Sequence, residues 1–267
     1  MIILLASSVS VEQFLVLNLS PLMLGVVCIL CPVILSYAGL ILTRKMIPSK
    51  FLRQHHDVTG PFFCTLGTVY GIFLAFIVAT TWQYYSSTGS NVVQEARCLD
   101  DLYTNSKAFS PTFGVKIQEL IRDYRDALVS DGWKSLQRGK VNPESNQLLF
   151  QIRDSFVNYK ITDASEGAFF LDTVKSLNQM LALRASRIDD ASSGLIPFLW
   201  CVLLAGGLAT IGFSFLFGGE NIHIQAVMTM LLTGVIALTL YTIVNLDFPF
   251  TGLVAISPEP FQKLQLK

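Results

Sequence analysis

The stretch from His55 to Tyr85, HHDVTGPFFCTLGTVYGIFLAFIVATTWQYY, limits what this chain can fold into more than any other. It opens on the polar cluster His55-His56-Asp57 and passes Gly60-Pro61. It then runs about 20 residues without Asp, Glu, Lys or Arg, the length that crosses a ~30 Å hydrocarbon core at ~1.5 Å per helical residue. Trp82, Tyr84 and Tyr85 close it, as suits a lipid–water interface. Along that helix Gly67, Gly71, Ala75 and Ala79 recur at i, i+4 and form a smooth stripe, the expected helix-packing face. Another face carries Phe62, Leu66, Val69, Phe73 and Phe76, bulky and aromatic. Such a face suits lipid, or the wall of a narrow pore.

The rest of the chain repeats the pattern. It is 52% hydrophobic and 14% charged, against ~25% charged in ordinary soluble domains. Long uncharged runs alternate with one polar block, which is the signature of a multi-span membrane protein, expected in the plasma (inner) membrane. Net charge is zero and no Lys/Arg-rich tract is present, so no nucleic-acid partner is expected. The N-terminal MIILLASSVSVEQFLVLNL has no basic residue ahead of its apolar run and reads as a retained interfacial or packed segment. Cys28, Cys31, Cys64 and Cys201 lie in apolar spans, where a thiolate is costly, so Cys28-x-x-Cys31 reads as packing more readily than as a redox pair.

Taken in order, a first span runs from about Leu22 to Leu42, with Pro21 in its first turn. The basic loop of Arg44, Lys45, Lys50 and Arg53 leads to the second span described above. Ser86-Ser87-Thr88-Gly89-Ser90 then reads as a break that starts a polar block with four helical stripes. These are Val92, Ala96, Leu99 and Tyr103; Phe113, Ile117, Leu120, Tyr124 and Leu128; Leu148, Ile152, Phe156 and Tyr159; and Phe170, Val174, Leu177, Leu181 and Ile188. Asn142-Pro143, a cap followed by a first-turn proline, marks the start of the third. A third span follows at about Leu195–Phe217, with Ala205, Gly206, Ala209 and Gly212 for close packing, and a fourth at about Ile224–Leu246.

The fold expected is all-α and polytopic. Residues 1–85 hold an N-terminal segment and spans one and two, 86–193 a helical extramembrane domain, and 194–267 spans three and four with a C-terminal tail. Basic residues flank the spans on both sides, among them Arg97, Arg184, Arg187 and Lys263, so the charge bias assigns neither side.

Three short motifs carry a resemblance. His56-Asp57-Val58-Thr59-Gly60-Pro61 ahead of a span, Glu95-Ala96, and Asp247-Phe-Pro-Phe-Thr-Gly252 followed by Ser257-Pro-Glu-Pro-Phe261 resemble a bestrophin-like family of bacterial four-span membrane proteins. The chain departs from that pattern at Asp131-Gly132-Trp133, where an acidic residue directly before the tryptophan is expected. Bestrophins are pentameric anion channels whose second span lines the pore. The resemblance therefore implies a homo-oligomer, with a pentamer favoured, and a pore lined by Pro61, Phe62, Leu66, Val69, Phe73 and Phe76. It implies an ion channel, for small anions. The alternative is a non-conducting membrane protein whose helical domain binds or scaffolds a partner.

The span interiors carry no Asp, Glu, Lys or Arg, which argues against a proton relay. They do carry hydroxyls and an amide, among them Thr65, Thr68, Thr80, Thr210, Ser214, Thr229, Thr233, Thr242 and Asn245. These suit either easing an ion past a constriction or bonding back to the preceding helical turn. His56, Asp57, His223 and Asp247 form a set of polar residues at span ends, compatible with metal or pH sensing and equally with interfacial hydrogen bonding. No metal site is assigned: His55 and His56 point about 100° apart on a helix, and no acidic run follows the fourth span to form a calcium clasp. Without a Gly-rich phosphate loop, a Ser/His/Asp arrangement or paired catalytic carboxylates, neither enzyme activity nor a cofactor is expected, and membrane lipids are expected as partners.

Overall fold

The computed structural model describes residues 21–47, 56–161, 164–217 and 221–266. Regular structure among them is entirely helical. In order the helices are α1 (Pro21–Met46), α2 (His56–Asn105), α3 (Pro111–Ala127), α4 (Trp133–Gln137), α5 (Pro143–Val157), α6 (Ala164–Ser192), α7 (Pro197–Ser214), α8 (Ile222–Asp247) and α9 (Glu259–Gln262). A 3-10 turn covers Ser106–Ala108 and a π turn covers Leu128–Gly132. Helices α1, α2, α7 and α8 are long and apolar enough to cross a membrane. The N-terminal segment, the basic residues Lys50 and Arg53, and the turn at Gly218-Gly219-Glu220 lie outside the described residues.

Two compact units result. One comprises Met1–Tyr84 with Gly194–Asp247, the other Tyr85–Ser193 with Phe248–Lys267. In the first, α1 lies along α8, and α7 packs on both. Polar ties hold the two ends of this bundle. At one end, Arg44 of α1 donates through Nε to Gln225 Oε1 at 3.1 Å, and Gln225 donates onward to the Ser214 carbonyl at the end of α7 at 3.2 Å. At the other end, the Asp247 carboxylate accepts from the Leu195 backbone N–H at 2.8 Å, capping the approach to α7.

The first part of α2 joins this bundle through Tyr70, Leu74 and Ile77, which meet Trp200 and Leu203 of α7 and Ile236 and Ile243 of α8. The Tyr70 hydroxyl donates to the Leu203 carbonyl at 2.8 Å, so its polar end is satisfied inside the helix contact. Room for the ring comes from Gly206 and Gly207. A Cβ on Gly206 would sit 2.6 Å from the Tyr70 ring, and one on Gly207 would sit 3.0 Å from its hydroxyl. The close approach thus involves Gly206 and Gly207 of the third span, whereas a Cβ on Gly212 would meet nothing within 4 Å. On α2 the expected packing stripe meets little among the described residues: a Cβ at Gly67 or Gly71 would find nothing within 4 Å. The physical reason is that a tyrosine pressed into paired glycines buries more surface than a flat stripe, so the intrachain contact forms on a different face.

The second unit is built from the rest of α2, α3–α6 and the tail. Helix α2 does not stop at Ser86–Ser90; it runs unbroken to Asn105. No proline lies in it beyond Pro61, well before Ser86, and one glycine costs only ~1 kcal/mol in a helix interior. Thr88, almost fully buried, donates to Asp190 of α6 at 2.9 Å. Val92, Ala96, Leu99 and Tyr103 are buried as their spacing predicts, together with Ile117, Tyr124 and Leu128, Ile152 and Phe156, and Leu177. Asn142 caps α5 by accepting from the Ser145 backbone N–H at 2.9 Å. The C-terminal tail, grouped in sequence with spans three and four, packs in this unit, where Phe250, Phe261 and Leu266 are buried in the core.

The two glycine environments separate cleanly in a stability experiment. Gly206→Leu must displace the Tyr70 ring and is expected to lower the unfolding free energy by ~1–3 kcal/mol, the range for overpacking. Gly71→Leu, with open space in front of it, should leave the stability of the isolated protomer unchanged. Thermal unfolding in detergent checks both, and equal destabilisation would contradict the placement of α2.

Candidate functional site

The sequence-expected pore residues do not share one environment. Pro61, Phe62, Val69 and Phe76 are exposed, whereas Leu66 and Phe73 are half-buried. Phe73 packs against the Tyr70 cluster, and Phe62 stacks on Phe213 of α7 with ring centroids 5.0 Å apart. Of the expected packing residues, Gly71, Ala75 and Ala79 are exposed and Gly67 is half-exposed. The face that α2 uses inside the chain is Tyr70, Leu74, Ile77 and Thr81, all buried. The small stripe lies on one flank of that face, and Val69 and Phe76 on the other.

A second site, in the helical unit, was not legible beforehand as a site. Arg187 of α6 donates to Glu95 of α2 through Nε at 2.6 Å and Nη2 at 2.9 Å, a bidentate pair with side-chain exposures of 3% and 0%. Burial works against the Arg187 charge, but the Glu95 carboxylate outweighs it and holds the guanidinium above the ordinary arginine range. The guanidinium carbon also lies 5.4 Å over the Trp133 ring. Trp133 sits at the exit of the π turn and donates through Nε1 to the Ile256 carbonyl at 3.1 Å. Its ring meets Phe250 edge-on at 5.7 Å and Phe261 at 6.2 Å.

The π turn also accounts for the missing acidic residue before the tryptophan. A Cβ on Gly132 would lie 3.0 Å from the Ala127 carbonyl oxygen and 3.3 Å from Leu128, so no larger side chain fits without a shift. Asp131 points to solvent and pairs with Lys134 at 3.4 Å. Glu95 is therefore the acid that serves this centre. The short motifs scattered through the sequence, Glu95-Ala96, Trp133 and the C-terminal Phe250 and Phe261, converge on one buried point.

The family model for the Bestrophin-like domain matches residues 30–261, most of the chain. The chain belongs to the Bestrophin-like domain family. No curated protein and no solved structure matches it.

In this Bestrophin-like chain most of the intramembrane hydroxyls bond to their own helix. Thr65 donates to the Pro61 carbonyl at 3.0 Å, Thr68 to Cys64 at 2.8 Å, Thr210 to Gly206 at 2.8 Å, Thr233 to Thr229 at 2.8 Å and Thr242 to Leu238 at 2.9 Å. Asn245 does the same toward Tyr241 at 2.8 Å. Of the polar residues at span ends, His223 and Asp247 do not meet. His223 is exposed at the start of α8 and Asp247 is buried at its other end, 24 residues or ~36 Å away along a helix. The side chains of His56 and Asp57 lie outside the described residues. Among the described residues no group of three His, Cys, Asp or Glu could hold a metal.

Beside the ion pair lies Tyr124 of α3, fully buried. Burial first, and then the Glu95 carboxylate, push its phenol up to about 12, against the opposing pull of the Arg187 and Arg184 guanidiniums.

Two measurements follow from this centre. Glu95→Ala leaves a buried guanidinium without its counter-charge and should cost ~3–5 kcal/mol, while Glu95→Leu combined with Arg187→Met should recover much of the loss. Thermal unfolding of the single and double variants checks this. For Tyr124 the folded pKa is raised from 10.0 to about 12, so its stabilising contribution is complete below pH 10 and is lost as pH rises to 12. Tyr124→Phe should therefore flatten the fall of Tm across that interval; an unchanged alkaline slope would show that Tyr124 does not cause it.

Proposed function

We propose that this Bestrophin-like protein is an oligomeric ion channel of the plasma membrane that passes small anions, with α2 bordering the pore. The observation that carries the reading is the one-sidedness of α2. It engages its own chain through Tyr70, Leu74, Ile77 and Thr81 and, among the described residues, leaves Gly71, Ala75 and Ala79 on one flank and Val69 and Phe76 on the other exposed. In a ring of copies, the stripe of Gly67, Gly71, Ala75 and Ala79 would seat a neighbouring helix, since lipid offers no hydrophobic drive and close van der Waals contact must replace it. The opposite flank would then turn Val69 and Phe76, each 64% exposed, toward the axis. The resemblance favours a pentamer. A neutral aromatic constriction with no acidic ring in the span interiors gives cations no preferred sites, which agrees with anions as the permeant species. No catalytic step belongs to this reading.

A second reading, in which the helical unit docks a partner without conduction, is favoured by the outer face of α5. Phe150 and Val157 stand there one i, i+7 step apart, 58% and 73% exposed.

Planar-bilayer recordings of the purified protein under a chloride gradient, with native mass measurement of the assembly, decide between the two. Phe76→Ala should enlarge the unit conductance severalfold without changing the oligomer mass. A monomeric mass with silent bilayers for both proteins would overturn the channel.

A further inference from the structure

Within the helical unit, a small cavity of about 10 Å³ opens where the turn after α4 meets α6. Three of its lining side chains are cationic, Lys140, Arg184 and Arg187, and none is a carboxylate. The remaining polar lining comes from Asn142 and Ser145 at the start of α5, the positive end of that helix.

The charges here are poorly matched. Arg187 is occupied by Glu95 through two hydrogen bonds. Arg184 donates to a neutral acceptor, Asn146 Oδ1, at 3.2 Å and lies beside the neutral Tyr124 phenol. Lys140, in the turn that follows the positive-φ Gly139, makes no ion pair among the described residues. Asn142, which also lines the cavity, spends its oxygen on the Ser145 backbone N–H. Three cations around one cavity therefore meet a single carboxylate, and that carboxylate is already committed. Neither Lys140 nor Arg184 has a carboxylate partner among the described residues.

We infer that this cavity binds one small monovalent anion of halide size. The volume sets the size, since about one probe sphere of space admits a water-sized guest and excludes sulfate or phosphate. The lining sets the sign and the chemistry, with two guanidiniums, an ammonium and an amide as charge-assisted and neutral donors. A bound anion would tie the turn at Lys140 and the cap of α5 to α6, beside the Glu95–Arg187 pair. The site lies wholly in the helical unit and does not depend on a conducting pore.

Thermal unfolding of the full-length protein in detergent tests this. Chloride or bromide replaces gluconate stepwise at constant ionic strength, and sulfate serves as a comparator. The wild type should show a saturable rise of Tm with chloride and bromide and none with sulfate. Lys140→Met, at an exposed position, should leave Tm in gluconate unchanged and shift the chloride midpoint upward about tenfold, the effect of losing one charge-assisted hydrogen bond. Arg184→Gln should shift the chloride midpoint in the same direction, and bromide should give an anomalous scattering peak between Lys140 and Arg184 in a crystal. A Tm that follows ionic strength whatever the anion, or a chloride response retained in Lys140→Met, would overturn the site. Channel recordings leave this outcome independent: a silent bilayer with a saturable halide effect removes the pore and keeps the site.

Discussion

A hydrocarbon core offers a polar group no water, so everything polar inside it must find a partner in the protein. That constraint shapes the membrane unit at every scale. Its backbone is helical, most of its threonines bond back to the preceding turn, and the Tyr70 hydroxyl is placed on a carbonyl of α7. The charged and amide groups that do take part, Arg44, Gln225 and Asp247, sit at helix ends, where they tie one helix to the next. With polar demands met locally, the helices are left to associate by shape. The fit of Tyr70 into Gly206 and Gly207 is the sharpest instance.

The helical unit solves a different problem. It buries a charge pair, which by itself contributes little net stability, and surrounds it with groups that use the geometry. Glu95 fixes Arg187, Arg187 covers one face of Trp133, and Trp133 holds the returning tail through the Ile256 carbonyl. The ion pair therefore acts mainly to specify which segments meet. This gives Glu95, Trp133 and the C-terminal Phe250 and Phe261 a common structural rationale, because residues far apart in the chain complete one another there.

These two arrangements bear on function differently. Helix α2 belongs to both, contributing Tyr70 to the membrane cluster and Glu95 to the buried pair. In the membrane it commits one face to its own chain and leaves two flanks for other surfaces. That division, more than any individual aromatic residue, is the feature on which the proposed assembly of copies rests.

The sequence by itself determined what depends on local composition and period. Four spans, the apolar stripes of the helical block and the cap at Asn142 were all legible, because span length, a 3.6-residue repeat and a cap-proline pair are each written within a few consecutive turns. The faces of α2 were legible as faces but not by partner: a glycine stripe and an aromatic stripe are both plausible contacts, and periodicity does not say which surface a neighbour occupies. Ser86–Ser90 looked like a break because its residues are polar and small, yet the helix continues where Thr88 finds Asp190, 102 residues away. Only the tertiary structure decided that Glu95 pairs with Arg187 across 92 residues, that Gly132 is imposed by a π turn, and that the tail returns to Trp133. Those outcomes rest on pairings between distant segments, and a buried charge reads in sequence like a solvated one until the fold supplies its partner.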